Sequence, residues 1–269
     1  MERQTFEKAG LKIDSNRVLT YSELHCPLDC TYCFVDEMNT NQKKKAAYLT
    51  EKQFELLGHL PEEVQLIMLG CDTELFQQRD NALQVLEKLA SSNKDLSVIT
   101  KLHLNKDFIK RIGDIDKQMR SRGNVLAFSV SIPCFVSFNR WEPKAPSPEK
   151  RIETLRYAFE ENLMTMVAIR PLIPTVTDSE LQHIVEQTKD IASGYYSGPL
   201  YLKNYESGLL APSEIIGLNI EKIQPHWMLE GNEFYRIERP GQMEYLKQLL
   251  AKEGKPLFEG AADGIERLK

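Results

Sequence analysis

The chain has little of what would place it in a membrane or outside the cell. Its 269 residues contain no run near the roughly 20 uninterrupted apolar residues that a membrane helix requires, and the opening MERQTFEKAG lacks the apolar core of a secretory signal. The expected location is the cytoplasm, with no membrane partner. Positive charge is scarce as well: 34 Lys and Arg stand against 39 Asp and Glu, a formal net charge of −5. Affinity for duplex DNA rests on neutralising phosphates, so this balance works against a nucleic-acid partner, which would need a local basic patch. Cysteine is sparse and odd in number. Cys26, Cys30, Cys33, Cys71 and Cys134 do not make the disulfide framework of a secreted chain, whereas the tight clustering of the first three suits metal or redox chemistry.

Repeats and low-complexity tracts are absent too, and 42% hydrophobic content is enough for one large α/β core. From residue 17 to about 205, short apolar or β-branched runs alternate with longer amphipathic ones. The pattern predicts strands near 17–24, 64–69, 96–101, 124–131, 164–170 and 199–205, with helices near 50–60, 79–92, 105–119, 147–162 and 178–192. Thr50 followed by Gln53 fits a capping box, whereas Ser147 is followed by Pro148 at a first helical position. Six strands with intervening helices predict a partial (β/α)6 barrel whose strand C-termini carry the chemistry. Residues 1–16 read as an N-terminal segment, 17–205 as the barrel and 206–269 as a C-terminal extension able to cover the barrel mouth, with a helix near 240–252.

The run His25-Cys26-Pro27-Leu28-Asp29-Cys30-Thr31-Tyr32-Cys33-Phe34 directly follows the first predicted strand. Three thiolates spaced C-x3-C-x2-C can ligate three irons of a [4Fe–4S] cubane and leave the fourth iron open. A structural zinc site is the plainer alternative. Tetrahedral zinc, however, recruits a fourth Cys or His, and His25, adjacent to a ligand, is poorly placed to complete the set.

This C-x3-C-x2-C-aromatic loop after a first strand resembles the signature of the radical S-adenosylmethionine (SAM) superfamily. The resemblance implies a partial barrel, a [4Fe–4S] cluster on Cys26, Cys30 and Cys33, bound SAM, a 5′-deoxyadenosyl radical and an electron donor such as flavodoxin or ferredoxin. Four further segments are similar to the spore photoproduct lyase-like branch: Leu69-Gly70-Cys71-Asp72-Thr73-Glu74, Thr100-Lys101, Phe128-Ser129-Val130, and Trp141-Glu142-Pro143 through Arg151. By this resemblance Thr73, with Glu74 beside it, matches a residue contacting the SAM amino group. Lys101 and Ser129 match residues near the methionine carboxylate or ribose, and Arg151 is a further candidate for pairing with a carboxylate. Tyr32 and Phe34 flank Cys33 where the lyases have two tyrosines, so both are candidate cofactor contacts and Tyr32 a candidate catalytic residue. Cys71 takes the place of a cysteine that donates a hydrogen atom to the product radical. A free cysteine is also a common packing residue, which is the reading for Cys134.

Two departures separate the chain from that branch: Phe34 stands in place of a tyrosine, and Glu74-Leu75-Phe76-Gln77 replaces Asp-Pro-Tyr-Gln. The expected function is therefore a radical SAM enzyme acting on a small or medium-sized substrate. Repair of a thymine dimer is the alternative within enzymes, and a non-catalytic iron–sulfur or zinc sensor or scaffold the alternative outside them. Lys43-Lys44-Lys45 reads as a solvated loop, and His59, His103, His183 and His226 are dispersed. Of the histidines only His103 lies just past a strand end. Lys203 through Glu206 close the sixth predicted strand as candidate polar contacts.

Overall fold

The computed structural model describes residues 3–22, 24–35, 48–225 and 233–269. Lys43, Lys44, Lys45 and His226 lie outside these. In chain order the elements are α1 (Arg3–Lys8), β1 (Leu11–Asp14), β2 (Arg17–Thr20), α2 (Glu51–Leu57), β3 (Leu66–Met68), α3 (Arg79–Leu89), β4 (Asp95–Thr100), α4 (Lys106–Arg120), β5 (Leu126–Ser131), α5 (Phe138–Trp141), α6 (Pro148–Glu160), β6 (Met164–Leu172), α7 (Asp178–Thr188), β7 (Gly194–Leu202), α8 (Pro212–Ile215), β8 (Asn219–Ile223), β9 (Phe234–Glu238), α9 (Gln242–Lys252), β10 (Leu257–Phe258) and α10 (Ala261–Leu268). A 3-10 turn spans Leu75–Gln77.

Local signals start the helices. Thr50 and Gln53 form the reciprocal capping box of α2, and Asn105 and Thr177 cap α4 and α7 through the amides of Phe108 and Glu180. Ser147 makes no side-chain cap, and α6 begins on Pro148, whose missing N–H costs nothing at a helix start.

Strands β2 through β7 pair in sequence order, all parallel, and the order does not close. This is an open, mostly parallel α/β barrel. The segments outside 17–205 add to the same sheet: β1 pairs antiparallel with β2, β9 and β8 extend β7 antiparallel, and β10 lies parallel to β7. The first predicted strand is shorter than expected, ending at Thr20 instead of residue 24, because the chain turns there into the cysteine loop.

Side chains alternate across the sheet, so the register sorts the two faces. Ile67, Val98, Phe128, Val130, Val167 and Ile169 join the helices in the larger core. Leu66, Ala127, Met164, Met166, Ala168 and Tyr196 face inward, where they meet Phe258, Ala261 and Ile265 from β10 and α10. Gly264 permits that approach, since a Cβ there would lie 2.6 Å from the Met166 sulfur. Burial of side chains the size of Ile265 and Phe258 contributes about 1.5–3 kcal/mol each. The C-terminal helix therefore fills part of the barrel interior and fixes the inner face on which Ser129 stands.

Candidate active site

Because β2 to β5 are parallel, their C-terminal ends lie along one rim, and the residues just past them can converge. The cysteine loop follows β2. Within it Cys26, Cys30 and Cys33 are all partly exposed, and the Cys33 amide donates to the Cys30 carbonyl at 2.9 Å, folding the second and third cysteines into one turn. Asp29 takes the left-handed conformation (φ 42°) that turns the chain into Cys30, and an ion pair with Lys144 anchors it. From the far side of the barrel the Trp141 carbonyl accepts from the Thr31 amide at 2.9 Å.

Past β3, Gly70 adopts φ +83°, and a Cβ there would meet the Ile99 methyl at 3.1 Å and the Ile99 carbonyl at 3.2 Å. Only glycine makes this turn beside β4 without strain. The Gly70 amide donates to the Tyr48 hydroxyl, which also bonds Thr20 at 3.0 Å, tying the ends of β2 and β3 together. Cys71 follows directly. Its sulfur donates to the Met68 carbonyl at 3.4 Å, and the side chain, like Phe34 of the cysteine loop, packs against the cluster of Leu19, Tyr21 and Phe234 on the inner side of the sheet. Burial first, then the neighbouring Asp72, pushes the Cys71 thiol up to about 12, so it keeps its hydrogen at neutral pH.

Past β4, the Lys101 side chain points inward and carries its ammonium 5.7 Å from the Tyr32 ring centroid and 3.7 Å from Glu142 Oε1. Burial works against that charge, but Cys30 and Glu142 outweigh it and raise the lysine above its ordinary value. Ser129 is fully buried on the inner face of β5, beside the Tyr196 phenol yet outside good hydrogen-bond geometry with any of the described residues. Thr73 is buried and accepts from the Gln77 side chain at 2.9 Å.

The superfamily model for radical SAM proteins matches residues 24–188, the stretch that carries the cysteine loop and four of the six parallel strands, β3 to β6. The chain belongs to the radical SAM superfamily. Its members are enzymes that use a [4Fe–4S] cluster and SAM. Spore photoproduct lyase complexed with a dinucleoside spore photoproduct is similar in fold, with a TM-score of 0.61 at 13% identity over 86% of this chain and 71% of that one. Streptococcus suis SuiB bound to S-adenosylmethionine gives a TM-score of 0.56 at 10% identity, over 94% of this chain and 52% of the other. A curated but uncharacterized protein of Methanocaldococcus jannaschii is 31% identical over 130 residues, 48% of this chain and 45% of the relative. The chain thus spans under half the length of that relative.

In this radical SAM protein the donor set suits an iron–sulfur cluster. Burial raises Cys30 and pushes Cys33 up to about 11, so both are thiols before metal arrives and release protons when it binds. Among the described residues no group of three His, Cys, Asp or Glu side chains is drawn together for a single metal ion. A cubane asks for something different, since each thiolate takes its own iron.

Glu74 and Arg151, expected as cofactor contacts, both bond protein groups. Glu74 uses its buried carboxylate inside the protein, accepting from Thr100 Oγ1 at 2.8 Å, the Lys101 amide at 2.9 Å and the Phe76 amide at 3.1 Å. It fixes the strand end that carries Lys101. Arg151 is wholly buried and donates to Glu142 at 2.5 Å, the Pro146 carbonyl at 2.8 Å and the Ser131 carbonyl at 3.0 Å. The carboxylate it meets belongs to the protein. Tyr32 is buried with its hydroxyl on Glu142, and Phe34 meets Phe234 edge-on at 5.4 Å. His103 pairs with Glu153 at 2.9 Å on the surface, and Cys134 is buried in the helix-side core. Lys203 lies 5.2 Å from the Phe234 ring centroid, and Asn204 caps the Glu206 amide.

Sequence reasoning missed Tyr48 and Tyr196. Tyr48 has no motif around it, and Tyr196 sits in a run that reads as a linker before the sixth predicted strand. Its signal is the alternation Gly194-Tyr195-Tyr196-Ser197-Gly198, which places Tyr196 inward on β7 beside Ala168. A cavity of about 730 Å³, lined by Arg17, Ser197, Lys247, Phe258, Asp263 and Arg267 among others, touches none of the cysteine-loop residues.

Proposed function

We propose that Cys26, Cys30 and Cys33 hold the four-iron cluster, that Thr73, Lys101 and Ser129 contact SAM, and that the chain acts on a small or medium-sized substrate. The observation that carries this reading is the convergence on one rim of the cysteine loop, the inward Lys101 ammonium and the unsatisfied Ser129 hydroxyl. When bound, the cluster and SAM supply an electron and a 5′-deoxyadenosyl radical. The protein's part is to orient SAM, exclude water through Phe34, Phe234 and Met68, and hold a hydrogen at the Cys71 sulfur.

Lys101 keeps its donors for a ligand: among the described residues its closest carboxylate, Glu142, is at 3.7 Å, beyond hydrogen-bond length. Lys101→Met is expected to weaken SAM binding by about 1.5–3 kcal/mol, the worth of a charge-assisted hydrogen bond. Calorimetric titration of reconstituted protein checks this, and an unchanged affinity with intact iron content removes Lys101 from the site.

Cys71 supports a hydrogen-donor role because its thiol faces the same inner side as Phe34 and stays protonated. Cys71→Ala is expected to load iron, bind SAM and release 5′-deoxyadenosine while product gives way to adducts or uncoupled turnover. A packing role predicts normal products and a small stability loss instead. The fold shared with spore photoproduct lyase favours dimer repair as a second reading, against which stand the net charge of −5 and Phe34. Binding to dimer-containing DNA at physiological salt separates the two. A non-catalytic sensor is separated from both by absence of reductive SAM cleavage.

A further inference from the structure

The buried carboxylate of Glu142 joins three parts of the chain that are far apart in sequence. Its Oε1 accepts from the Tyr32 hydroxyl in the cysteine loop and faces the Lys101 ammonium at 3.7 Å, while its Oε2 accepts from Arg151 at 2.5 Å. Glu142 and Arg151 are both fully buried, whereas the Lys101 side chain keeps 19% of its exposure. The segment on either side is tied to the same loop, through the Thr31 amide to the Trp141 carbonyl and through the Lys144 side chain to the Asp29 carboxylate.

Two cations and one anion meet here. Arg151 meets Glu142 through Oε2 alone and gives its other bonds to the Pro146 and Ser131 carbonyls, so the pairing uses only one carboxylate oxygen. The second oxygen turns to Tyr32 and Lys101. At 3.7 Å it attracts the ammonium without taking its hydrogens, since a hydrogen bond needs a donor–acceptor distance near 3 Å. Without that charge, Lys101 would be repelled by Arg151 and free to swing toward the exposed part of its surroundings. The Tyr32 ring, 5.7 Å from the ammonium, adds a second wall.

We propose that Glu142 is a positioning residue: its carboxylate holds the Lys101 ammonium and the Tyr32 hydroxyl in register with the cysteine loop, so that Lys101 presents its unused donors to the carboxylate of SAM. The inference rests on the SAM site proposed above. A purely structural role, neutralising Arg151, would make no use of Lys101, and this difference can be measured.

The test is a double-mutant cycle on the reconstituted 269-residue chain, with iron per chain and SAM affinity by equilibrium dialysis as readouts. Glu142→Gln keeps one acceptor for Arg151, turns its amide N–H toward the Tyr32 oxygen, which can accept, and removes the charge. It is expected to hold iron like the wild type and to bind SAM about tenfold more weakly, while in a Lys101→Met background the same change causes no further loss. Equal SAM affinity in Glu142→Gln and wild type, or the same fold-loss with and without Lys101, overturns the proposal. Should Glu142→Gln not fold, Glu142→Asp keeps the charge opposite Arg151 and shortens its reach, and it carries the same expectation in both backgrounds. A wild type that takes up iron and binds no SAM defeats the proposed function together with this inference; a wild type that binds both, beside an unaffected variant, defeats this inference alone.

Discussion

Replacing Cys30 by Ala is expected to abolish the iron–sulfur cluster, leaving reconstituted protein without its visible absorption and with iron and sulfide near background. Cys30 sits in the turn closed by the Cys33 amide, directly before Thr31 and Tyr32, which are pinned to the 141–142 segment. Among the described residues no cluster of three or more His, Cys, Asp or Glu side chains offers a separate metal site. With three thiolates for four irons, loss of one leaves half the cubane without protein ligands. Cys26→Ala and Cys33→Ala should behave alike, while Cys134→Ala, whose thiol is buried in the helix-side core, should keep full iron. Retention of four irons and four sulfides in Cys30→Ala would show that the ligands lie elsewhere.

The second large effect is on folding. Arg151→Met is expected to destabilise the metal-free protein by about 3–5 kcal/mol, because breaking a buried ion pair strands the remaining charge. Glu142 would keep its full burial and lose its hydrogen-bonded cation, leaving only Lys101 at 3.7 Å, and the Pro146 and Ser131 carbonyls would each lose a donor. Replacing both partners, Glu142→Leu with Arg151→Met, should recover much of that loss, since two apolar side chains leave no buried charge. Urea unfolding of the metal-free variants checks both steps. A single variant within 0.5 kcal/mol of wild type, roughly the range of an ordinary surface substitution, would mean that solvent reaches the pair.

Five of the six parallel strands were legible because each is a short apolar run followed by an amphipathic helix, a local property of the sequence, whereas the sixth, expected at 199–205, runs over Gly194–Leu202 and meets its expectation only at 199–202. The cysteine loop was legible for the same reason: its chemistry is written in contiguous residues. Strand β1 was harder to see, since Leu11-Lys12-Ile13-Asp14 alternates over only four residues before the Ser15–Asn16 turn. Strand β8 carries almost no buried side chains, so its sequence offers no apolar pattern at all, and its place follows from pairing with β9. Helix α10 shows an apolar stripe, but nothing local says that it enters the barrel; Gly264 against Met166 decides that.

Within the candidate site, residues at strand ends could be named, whereas the jobs of their neighbours could not. Glu74 and Arg151 carry charges that suit a cofactor contact, and only the fold shows those charges spent on Thr100, the Lys101 amide and Glu142. Glu142 stood in a motif without a role, because its partner Tyr32 is 110 positions away. Tyr196 likewise gains its meaning from the register that sets it beside Ala168 on the inner face.

The most direct measurement is 5′-deoxyadenosine released from SAM by anaerobically reconstituted, dithionite-reduced protein, quantified by mass spectrometry beside iron content. The wild type is expected to carry close to one four-iron cluster per chain and to release 5′-deoxyadenosine, while the Cys26→Ala, Cys30→Ala, Cys33→Ala triple variant releases none. Equal release from the triple variant, or none from a wild type with its four irons in place, would contradict the assignment of these three cysteines to a SAM-cleaving cluster.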